Sequence, residues 1–306
     1  MLSIINAHPR DSNISFEEEN HIYTIMGMEG HPISVTTLIH RFFEKFNADK
    51  IIANMMKKKN WPESVYYGMT AEEIKKQWND NGSKQSGLGT DMHKAIEDYI
   101  NDEASPQEPV AEIKISLPSP EMQCQAESVD CKIPTIEEQT RYVIPRLPSV
   151  ATQTKEFGFF LKFWSQLNVI YPGVKAYRTE WLVYDMEKRL SGSIDLSLIN
   201  NEGKIIICDW KRSKEIKMKG FKNTRTGETK RGFGIFSHLD DCNYQHYSLQ
   251  LNIYRHILET HYGKEVVGLY LVIFHPNNDD HILIEVRRMD KEIQDLWNIL
   301  PITSDH

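Results

Sequence analysis

Residues 178–211 constrain the fold more than any other segment, because their composition predicts three consecutive β-strands joined by two short turns. The strand-like stretches are rich in β-branched and aromatic residues, whereas residues 186–189 and 200–203 have the composition of turns. If the first turn is centred between Glu187 and Lys188 and the second on Glu202, the register of an antiparallel meander is fixed.

That register brings carboxylates side by side. Glu180 would face Asp195, and Asp195 would face Asp209. Directly opposed residues have Cβ atoms roughly 5 Å apart, where like charges repel. Lys211 would leave the same strand face as Asp209, but one ammonium cannot neutralise three carboxylates. A divalent cation could, and oxygen ligands without a thiolate favour magnesium, manganese or calcium over zinc.

A surface salt bridge between Asp209 and Lys211 is the structural alternative for this pattern. The positions of Asp209 and Asp195 in the sequence argue against this salt bridge as the full explanation. Asp209 ends the apolar run IIIC, and Asp195 lies between Ile194 and Leu196. Burying an unpaired charge is costly, so charged residues inside such runs seldom serve packing alone.

The charge of the chain is unevenly distributed. A net charge of −7 argues against general adhesion to nucleic acid. Residues 211–231, however, contain nine Lys or Arg against two Glu, which is about +7 by difference. A solvated basic loop is the ordinary interpretation of such a run, but its position after the carboxylates favours phosphate binding. The nucleic-acid contacts that we expect here are Arg212, Lys214, Lys217 and Lys219.

Cysteine spacing and hydropathy exclude several other classes of protein. The four cysteines show no Cys-x-x-Cys spacing, so we expect neither a structural zinc site nor an iron–sulphur cluster. No apolar stretch has the length of a signal-peptide core or a membrane span. These features lead us to expect an intracellular protein with reduced thiols.

The chain divides into three parts. Residues 1–101 predict an N-terminal hairpin and helices, residues 102–150 predict a flexible insertion, and residues 151–306 hold the core of the domain. Seven of the thirteen prolines lie in the middle part, which is why we expect it to be flexible.

Helical periodicity and end signals place the remaining elements. In the first part we expect a helix over 38–59 that is capped by Ser34, Thr36 or Thr37. Helices over 70–78 and 91–100 would follow, separated by a glycine-bearing turn. In the last part we expect a helix beginning after Thr154, a helix over 243–262 and a final strand pair.

Polar side chains on two of these helices allow more than one interpretation. His93 has Glu97 one turn further on, and a local pair is the ordinary explanation for it. Gln250 and Tyr254 share one face of the 243–262 helix. A buried ring explains the tyrosine. A glutamine in so apolar a helix needs partners for its amide.

Five elements, in this order, resemble the RecB-like branch of the PD-(D/E)xK nuclease superfamily, which includes metal-dependent DNA exonucleases. They are GTDMH at 89–93, the Glu180 strand, GSIDL at 192–196, DWK at 209–211 and Gln250-x-x-x-Tyr254. The resemblance spans about residues 34–275, with 102–150 unmatched. It implies an α/β fold with a restriction-endonuclease-like core, in which helices flank both faces of a mixed central β-sheet.

The resemblance also implies roles for individual residues. The implied ligands of Mg²⁺ or Mn²⁺ are His93, Asp195, Asp209 and the backbone carbonyl of Trp210. Lys211 would orient or activate the attacking water, and Gln250 and Tyr254 would hold the DNA backbone near the metal. Glu180 is typical of the family, and its direct ligation stays open. Some relatives carry a four-cysteine iron–sulphur cluster, whose spacing this chain lacks.

The implied function is hydrolysis of phosphodiester bonds in DNA, by an exonuclease that serves repair, recombination or replication. Single-stranded DNA and duplex ends are both open as substrates. Two alternatives remain. One is a nucleic-acid-binding module that has lost catalysis on a nuclease-like fold, and the other is an RNA-cutting endonuclease.

Overall fold

The computed structural model describes residues 1–104, 153–223 and 226–301. Apart from 102–104, the expected flexible insertion lies outside these residues. Its first three residues belong to a helix that continues from the N-terminal part.

The strands form a small hairpin and one large sheet. The hairpin pairs Ile14–Glu17 (β1) with Ile22–Ile25 (β2), as expected from the sequence. The strands of the large sheet are Ile33–Ser34 (β3), Lys175–Asp185 (β4), Leu190–Ile199 (β5), Ile205–Lys211 (β6), Val266–Ile273 (β7) and Ile282–Glu285 (β8).

The large sheet is mixed. Its order is β3-β5-β6-β7-β8, and β4 also pairs with β5. The β4/β5, β5/β6 and β7/β8 pairs are antiparallel, whereas β3/β5 and β6/β7 are parallel. Because β3 meets β5 only at Leu190 and Ser191 and the β6 ladder starts at Leu196, the stretch of β5 between them has no ladder partner on that side.

Helices cover both faces of this sheet. They span Leu2–Ile5 (α1), Val35–His40 (α2), Ala48–Met56 (α3), Ala71–Ala104 (α4), Lys155–Ile170 (α5), Asn243–His261 (α6) and Asp290–Ile299 (α7). One apolar core joins α2, α6 and α7 to the sheet, and a second joins α4 and α5 to its other face. The expected α/β architecture, a mixed sheet with helices on both faces, is confirmed.

The register expected for the meander is also confirmed. The rungs Thr179↔Leu196 and Trp181↔Ile194 flank Glu180 and Asp195, which therefore lie opposite each other. The β5/β6 ladder ends at Leu196↔Cys208, so the next step of the same register sets Asp195 opposite Asp209.

The single helix expected over 38–59 is wrong. Two helices, α2 and α3, are separated by residues 41–47. Ser34 caps α2 by accepting the Thr37 N–H at 3.1 Å, as one of the expected alternatives had it. Asn47 caps α3 by accepting the Lys50 N–H at 2.9 Å. An asparagine side chain that bonds nearby backbone in this way favours a helix start over a helix interior.

The glycine-bearing turn expected before residue 91 is wrong as well. Helix α4 runs for 34 residues without a break through Gly82, Gly87 and Gly89. It begins with the expected capping box, in which the Thr70 N–H donates to Glu73 Oε2 at 2.7 Å and the Glu73 N–H donates to Thr70 Oγ1 at 3.2 Å. Each glycine destabilises a helix by ~1 kcal/mol relative to alanine. Because helix formation is cooperative, the helical segments on both sides of the glycines can offset this cost.

The C-terminal elements follow the sequence closely. Thr154 caps α5 by accepting the Phe157 N–H at 3.2 Å, and α6, β7 and β8 lie where the patterns placed them. Helix α7 was not expected, although it closes the core over α6 through Ile293 and Leu296.

Asp185 at the end of β4 ties this strand to α6 and α7. Its carboxylate accepts the Lys188 N–H at 2.8 Å and the Trp297 Nε1–H at 3.2 Å, and it lies 3.0 Å from His261 Nε2. Burial raises the pKa of this carboxyl, but the contact with His261 and the other hydrogen bonds outweigh burial and leave the pKa lowered.

We therefore expect Asp185→Ala to lower the free energy of unfolding by about 3 kcal/mol. Because the pKa of Asp185 is lowered in the folded state, its contribution is full above the unfolded pKa of about 4 and is lost as pH falls below that value. Chemical denaturation from pH 7 to pH 3 measures both effects. Asp295→Ala, which removes a surface pair on α7 with Lys291, is the control and should change little. Equal destabilisation by the two variants would contradict this role.

Candidate metal centre

Three side chains from α4, β4 and β5 converge at one point. His93 Nδ1 lies 3.6 Å from Glu180 Oε1 and 3.7 Å from Asp195 Oδ2. All three potential ligand atoms lie within 4.8 Å of one another. Among the described residues, this is the group whose geometry could hold a metal ion. The histidine that the sequence left between a local pair with Glu97 and a site residue thus faces two carboxylates.

The sheet itself is irregular at this point. Along β5, Leu190 and Ile194 face the α6 side, whereas Leu196 and Leu198 face the α4 side. Two-residue alternation would place Ile194 and Leu196 on the same face, so the strand reverses its faces at Asp195.

The partner strand is irregular at the same rung. Glu180, opposite Asp195, has a φ of 42°. A side chain other than glycine is strained in this left-handed region, and such strain concentrates at functional positions. The irregular rung lets both carboxylates approach His93.

Asp209 and Lys211 form a second part of the site. Lys211 Nζ lies 2.6 Å from Asp209 Oδ2 and 4.8 Å from the centre of the Tyr247 ring of α6. The expectation that both side chains leave the same strand face is confirmed. Asp209 is 2% exposed, and it does not belong to the His93, Glu180 and Asp195 group. The carboxylate that joins the group is Glu180, whose ligation the sequence had left open.

Trp210 anchors this strand. Its backbone N–H donates to Asp195 Oδ2 at 2.7 Å, which bridges β5 and β6 where their ladder has ended. Its indole is 2% exposed and packs edge-on against Phe160 and Phe163 of α5. The main chain next to the site is thereby held in place by the core.

The charges of the site shift the pKa values of its members. Burial opposes the charged form of His93, but Asp195 and Glu180 outweigh it and raise its pKa to about 9. Burial and the charge of Asp209 raise the pKa of Asp195 to about 7. Burial raises the pKa of Glu180, yet contact with His93 outweighs this and leaves it lowered. Burial also opposes the charge on Lys211, but Asp209 and Asp195 raise its pKa above the ordinary value. The carboxylates thus require positive charge, which protons supply here.

A divalent cation fits these donors. One imidazole nitrogen and carboxylate oxygens, with no thiolate, suit magnesium or manganese. Two observations indicate that these carboxylates are arranged to bind a cation. The backbone of Glu180 is strained, and the pKa of Asp195 is raised. In this fit His93, Glu180 and Asp195 would hold the ion, and Asp209 would complete the site from β6.

The chain matches the family model of the PD-(D/E)XK nuclease superfamily over residues 65–300, which is more than half of its length. The chain belongs to this superfamily. Membership carries metal-dependent nuclease activity, that of a phosphodiester hydrolase, and a nucleic acid as substrate. No curated protein matches the chain. Among the helices of the described residues, none combines the length and hydropathy needed to span a bilayer.

In this nuclease, Gln250 and Tyr254 lie behind the carboxylates. Gln250 Nε2 donates to the Tyr254 hydroxyl at 3.2 Å, and the two residues are 8% and 3% exposed. The Tyr254 ring lies against Gly192, where a Cβ atom would come within 2.6 Å of it. The glycine of the GSIDL motif therefore makes room for this ring. Both side chains are buried in this structure, and the contact with the DNA backbone expected of them stays a prediction.

The expected basic contacts differ in their surroundings. Lys214, Lys217 and Lys219 are exposed, as substrate-facing residues should be. Arg212 is different, because its side chain is only 9% exposed and its Nε donates to Glu156 at 2.8 Å. It also contacts Gln85 of α4. This arginine therefore bridges α4 and α5 at the end of β6, and its contact with a phosphate stays a prediction.

Other residues of the site were not expected from the sequence. The Ser193 hydroxyl donates to Glu180 Oε2 at 2.7 Å, and its place in the GSIDL motif was the available signal. Tyr23 of β2 lies near the carboxylates, and burial together with Glu180 raises its pKa to about 12. Tyr23 is too far along the chain from β4 for any local pattern to indicate the contact.

We expect Mn²⁺ to raise the melting temperature of the protein through this group. His93→Ala, Glu180→Gln and Asp195→Asn should each weaken Mn²⁺ binding by about tenfold or more, because each removes a ligand. Thermal unfolding across a manganese titration measures the change. Asp98→Asn, on the exposed face of α4, is the matched control. An unchanged titration for Glu180→Gln would remove Glu180 from the ligand set.

Proposed function

We propose that the chain is a RecB-like, Mg²⁺- or Mn²⁺-dependent deoxyribonuclease that degrades DNA from its ends, in repair, recombination or replication. The observation that carries the proposal is the convergence of His93, Glu180 and Asp195 beside the Asp209–Lys211 pair. The order of the five sequence elements, from His93 to Tyr254, supports the RecB-like assignment.

Hydrolysis of a phosphodiester builds negative charge on the phosphoryl oxygens and on the leaving 3′ oxygen. A bound dication would acidify the attacking water and neutralise part of that charge. His93, Glu180 and Asp195 would hold the ion, and Ser193 orients Glu180 through its hydroxyl. The hydrogen bond from the Trp210 amide fixes the Asp195 carboxylate, so the donors need little rearrangement.

Lys211 supplies a permanent positive charge. Its raised pKa keeps the side chain protonated at neutral pH, so it donates hydrogen bonds and does not remove a proton. Asp209 and the Tyr247 ring hold the ammonium, which is 18% exposed. From this position it orients the attacking water and stabilises the charge that develops at the phosphate.

Asp209→Asn and Lys211→Ala should each reduce DNA cleavage by at least a thousandfold, measured on variants whose circular dichroism shows that they are folded. The expectation follows because each variant removes a charge that the transition state requires. Digestion of end-labelled DNA with Mg²⁺, Mn²⁺ or EDTA measures it. Lys291→Ala, an exposed lysine of α7, is the matched control. Cleavage that persists in EDTA or in Lys211→Ala would contradict the mechanism.

Cleavage of linear DNA, circular DNA and RNA distinguishes the proposed exonuclease from its alternatives. We expect linear DNA to be degraded and closed circular single-stranded DNA to be spared, because an exonuclease needs an end. RNA of the same sequence should be cut poorly. Cutting of circles would indicate an endonuclease, and preference for RNA would support the RNA-cutting alternative. Binding without turnover in any metal would indicate a nuclease fold that has lost catalysis.

A further inference from the structure

Residues 46–78 form a helical arm with a small core of its own. The arm contains α3, the connecting segment and the first two turns of α4, and its central side chains are Ile52 and Ile74 at 1% and 0% exposure. Neither residue belongs to the cores of the sheet. Beyond the arm, the residues of α4 over 79–87 are exposed, although Gln85 contacts Arg212 next to the nuclease core. The arm is therefore joined to the nuclease core by an exposed stretch of helix.

The arm presents a cluster of aromatic rings. The rings of Trp61 and Tyr67 pair at 6.3 Å, and those of Phe46 and Trp78 pair at 5.9 Å. The Trp78 Nε1–H donates to the Tyr66 hydroxyl at 3.0 Å, and this hydrogen bond fixes the orientation of the Trp78 ring. Phe46 and Tyr67 are 72% and 60% exposed. Large rings that are fixed by their neighbours and still open to water mark a binding surface.

Positive charge closely precedes Trp61 in the sequence. Lys57, Lys58 and Lys59 are consecutive and exposed, and none takes part in an ion pair with another described residue. Over residues 57–67, Glu63 is the only acidic residue to offset them. Lysines without ion pairs, close to exposed aromatic rings, are complementary to phosphates and unpaired bases.

We propose that the arm is a binding platform for single-stranded nucleic acid, on which Tyr67 and Trp61 stack bases while Lys57, Lys58 and Lys59 contact phosphates. The inference rests on the proposed nuclease function and names the strand that its active site receives. A single strand is the occupant because a duplex hides the faces of its bases, whereas aromatic stacking requires them.

The arm and the metal centre lie on one helix. Ala71 and His93 are 22 residues apart in α4, which corresponds to about 33 Å at 1.5 Å per residue. A strand whose bases are stacked as in a duplex advances about 3.4 Å per nucleotide along its axis, so about ten stacked nucleotides cover this distance, and an extended strand needs fewer. Trp78 and His93, 15 residues apart, lie within about 60° of each other around the helix axis. A strand can therefore follow one side of α4 from the platform to the site.

The test measures binding in EDTA, where metal-dependent cleavage is off. Fluorescein-labelled oligothymidines of 6 and 20 nucleotides and a 20-base-pair duplex are titrated with the full-length protein, and anisotropy gives each Kd. We expect Tyr67→Leu and Trp61→Leu to weaken binding of the 20-mer by about tenfold each. Tyr67→Phe and Trp61→Phe keep a ring and should stay within about twofold of the native protein. The 6-mer can occupy the platform alone, so the two Leu variants should weaken its binding as well.

A charge variant tests the phosphate contacts. Replacing Lys57, Lys58 and Lys59 together by Gln should weaken the 20-mer and reduce the slope of log K against log salt by about 2, because each neutralised phosphate contributes about 0.7 on a single strand. Lys291→Gln, far from the arm in sequence and exposed, should leave the slope unchanged.

The outcomes separate the two proposals. If the native protein cleaves DNA in Mg²⁺ but the Leu variants bind the 20-mer like the native protein, the platform is overturned and the nuclease stands. Stronger binding of the duplex than of the 20-mer would also overturn it. If the Leu variants change the sedimentation coefficient and leave oligonucleotide binding intact, the arm is a contact between two copies of this chain. Absence of metal-dependent cleavage in the native protein counts against the proposed function, whatever the arm binds.

Discussion

Repulsion among neighbouring carboxylates is the constraint on which the structure of this site depends. Glu180 on β4 lies opposite Asp195 on β5, and the register of β5 with β6 places Asp209 opposite Asp195 on the other side. Like charges so close destabilise a sheet unless positive charge is supplied. His93 and Lys211 supply it in this structure, and both have pKa values raised by the neighbouring carboxylates. A site that attracts positive charge this strongly is prepared for a dication.

The surrounding fold serves to hold those charges in place. The sheet opens between the β3 and β6 ladders, and the irregular rung at Glu180 and Asp195 lies beside that opening. Helix α4 brings His93 to it from one face, and α6 brings Tyr247 beneath Lys211 from the other. The metal centre therefore draws on both layers of helices. Substitutions in either layer of helices are therefore expected to alter the geometry of the metal centre.

The sequence predicted the meander well because strand register depends on local information. Two turn centres, between Glu187 and Lys188 and at Glu202, determine which residues face each other. Helix ends in the N-terminal part were harder to predict. The glycines of α4 are typical of turns, yet the helix continues because its residues on both sides are packed. Single-residue propensities are weak compared with such tertiary contacts.

The site was predicted in part. The sequence indicated its carboxylates, its lysine and His93, but not which carboxylates would share ligand geometry with the histidine. That choice depends on the reversal of faces at Asp195 and on the strained backbone of Glu180, neither of which has a signature in the sequence. The partners of Arg212 were not predicted for a related reason. A basic residue in a basic run gives no sign that Glu156, 56 residues earlier, pairs with it.

A crystal structure of the protein soaked in manganese shows whether these carboxylates hold a cation, because anomalous scattering locates the ion without reference to activity. We expect a peak bound by His93 Nδ1 and by carboxylate oxygens of Glu180 and Asp195, next to Lys211. A well-diffracting crystal with no peak there, or with manganese bound only at residues that exclude Asp195, would contradict this expectation.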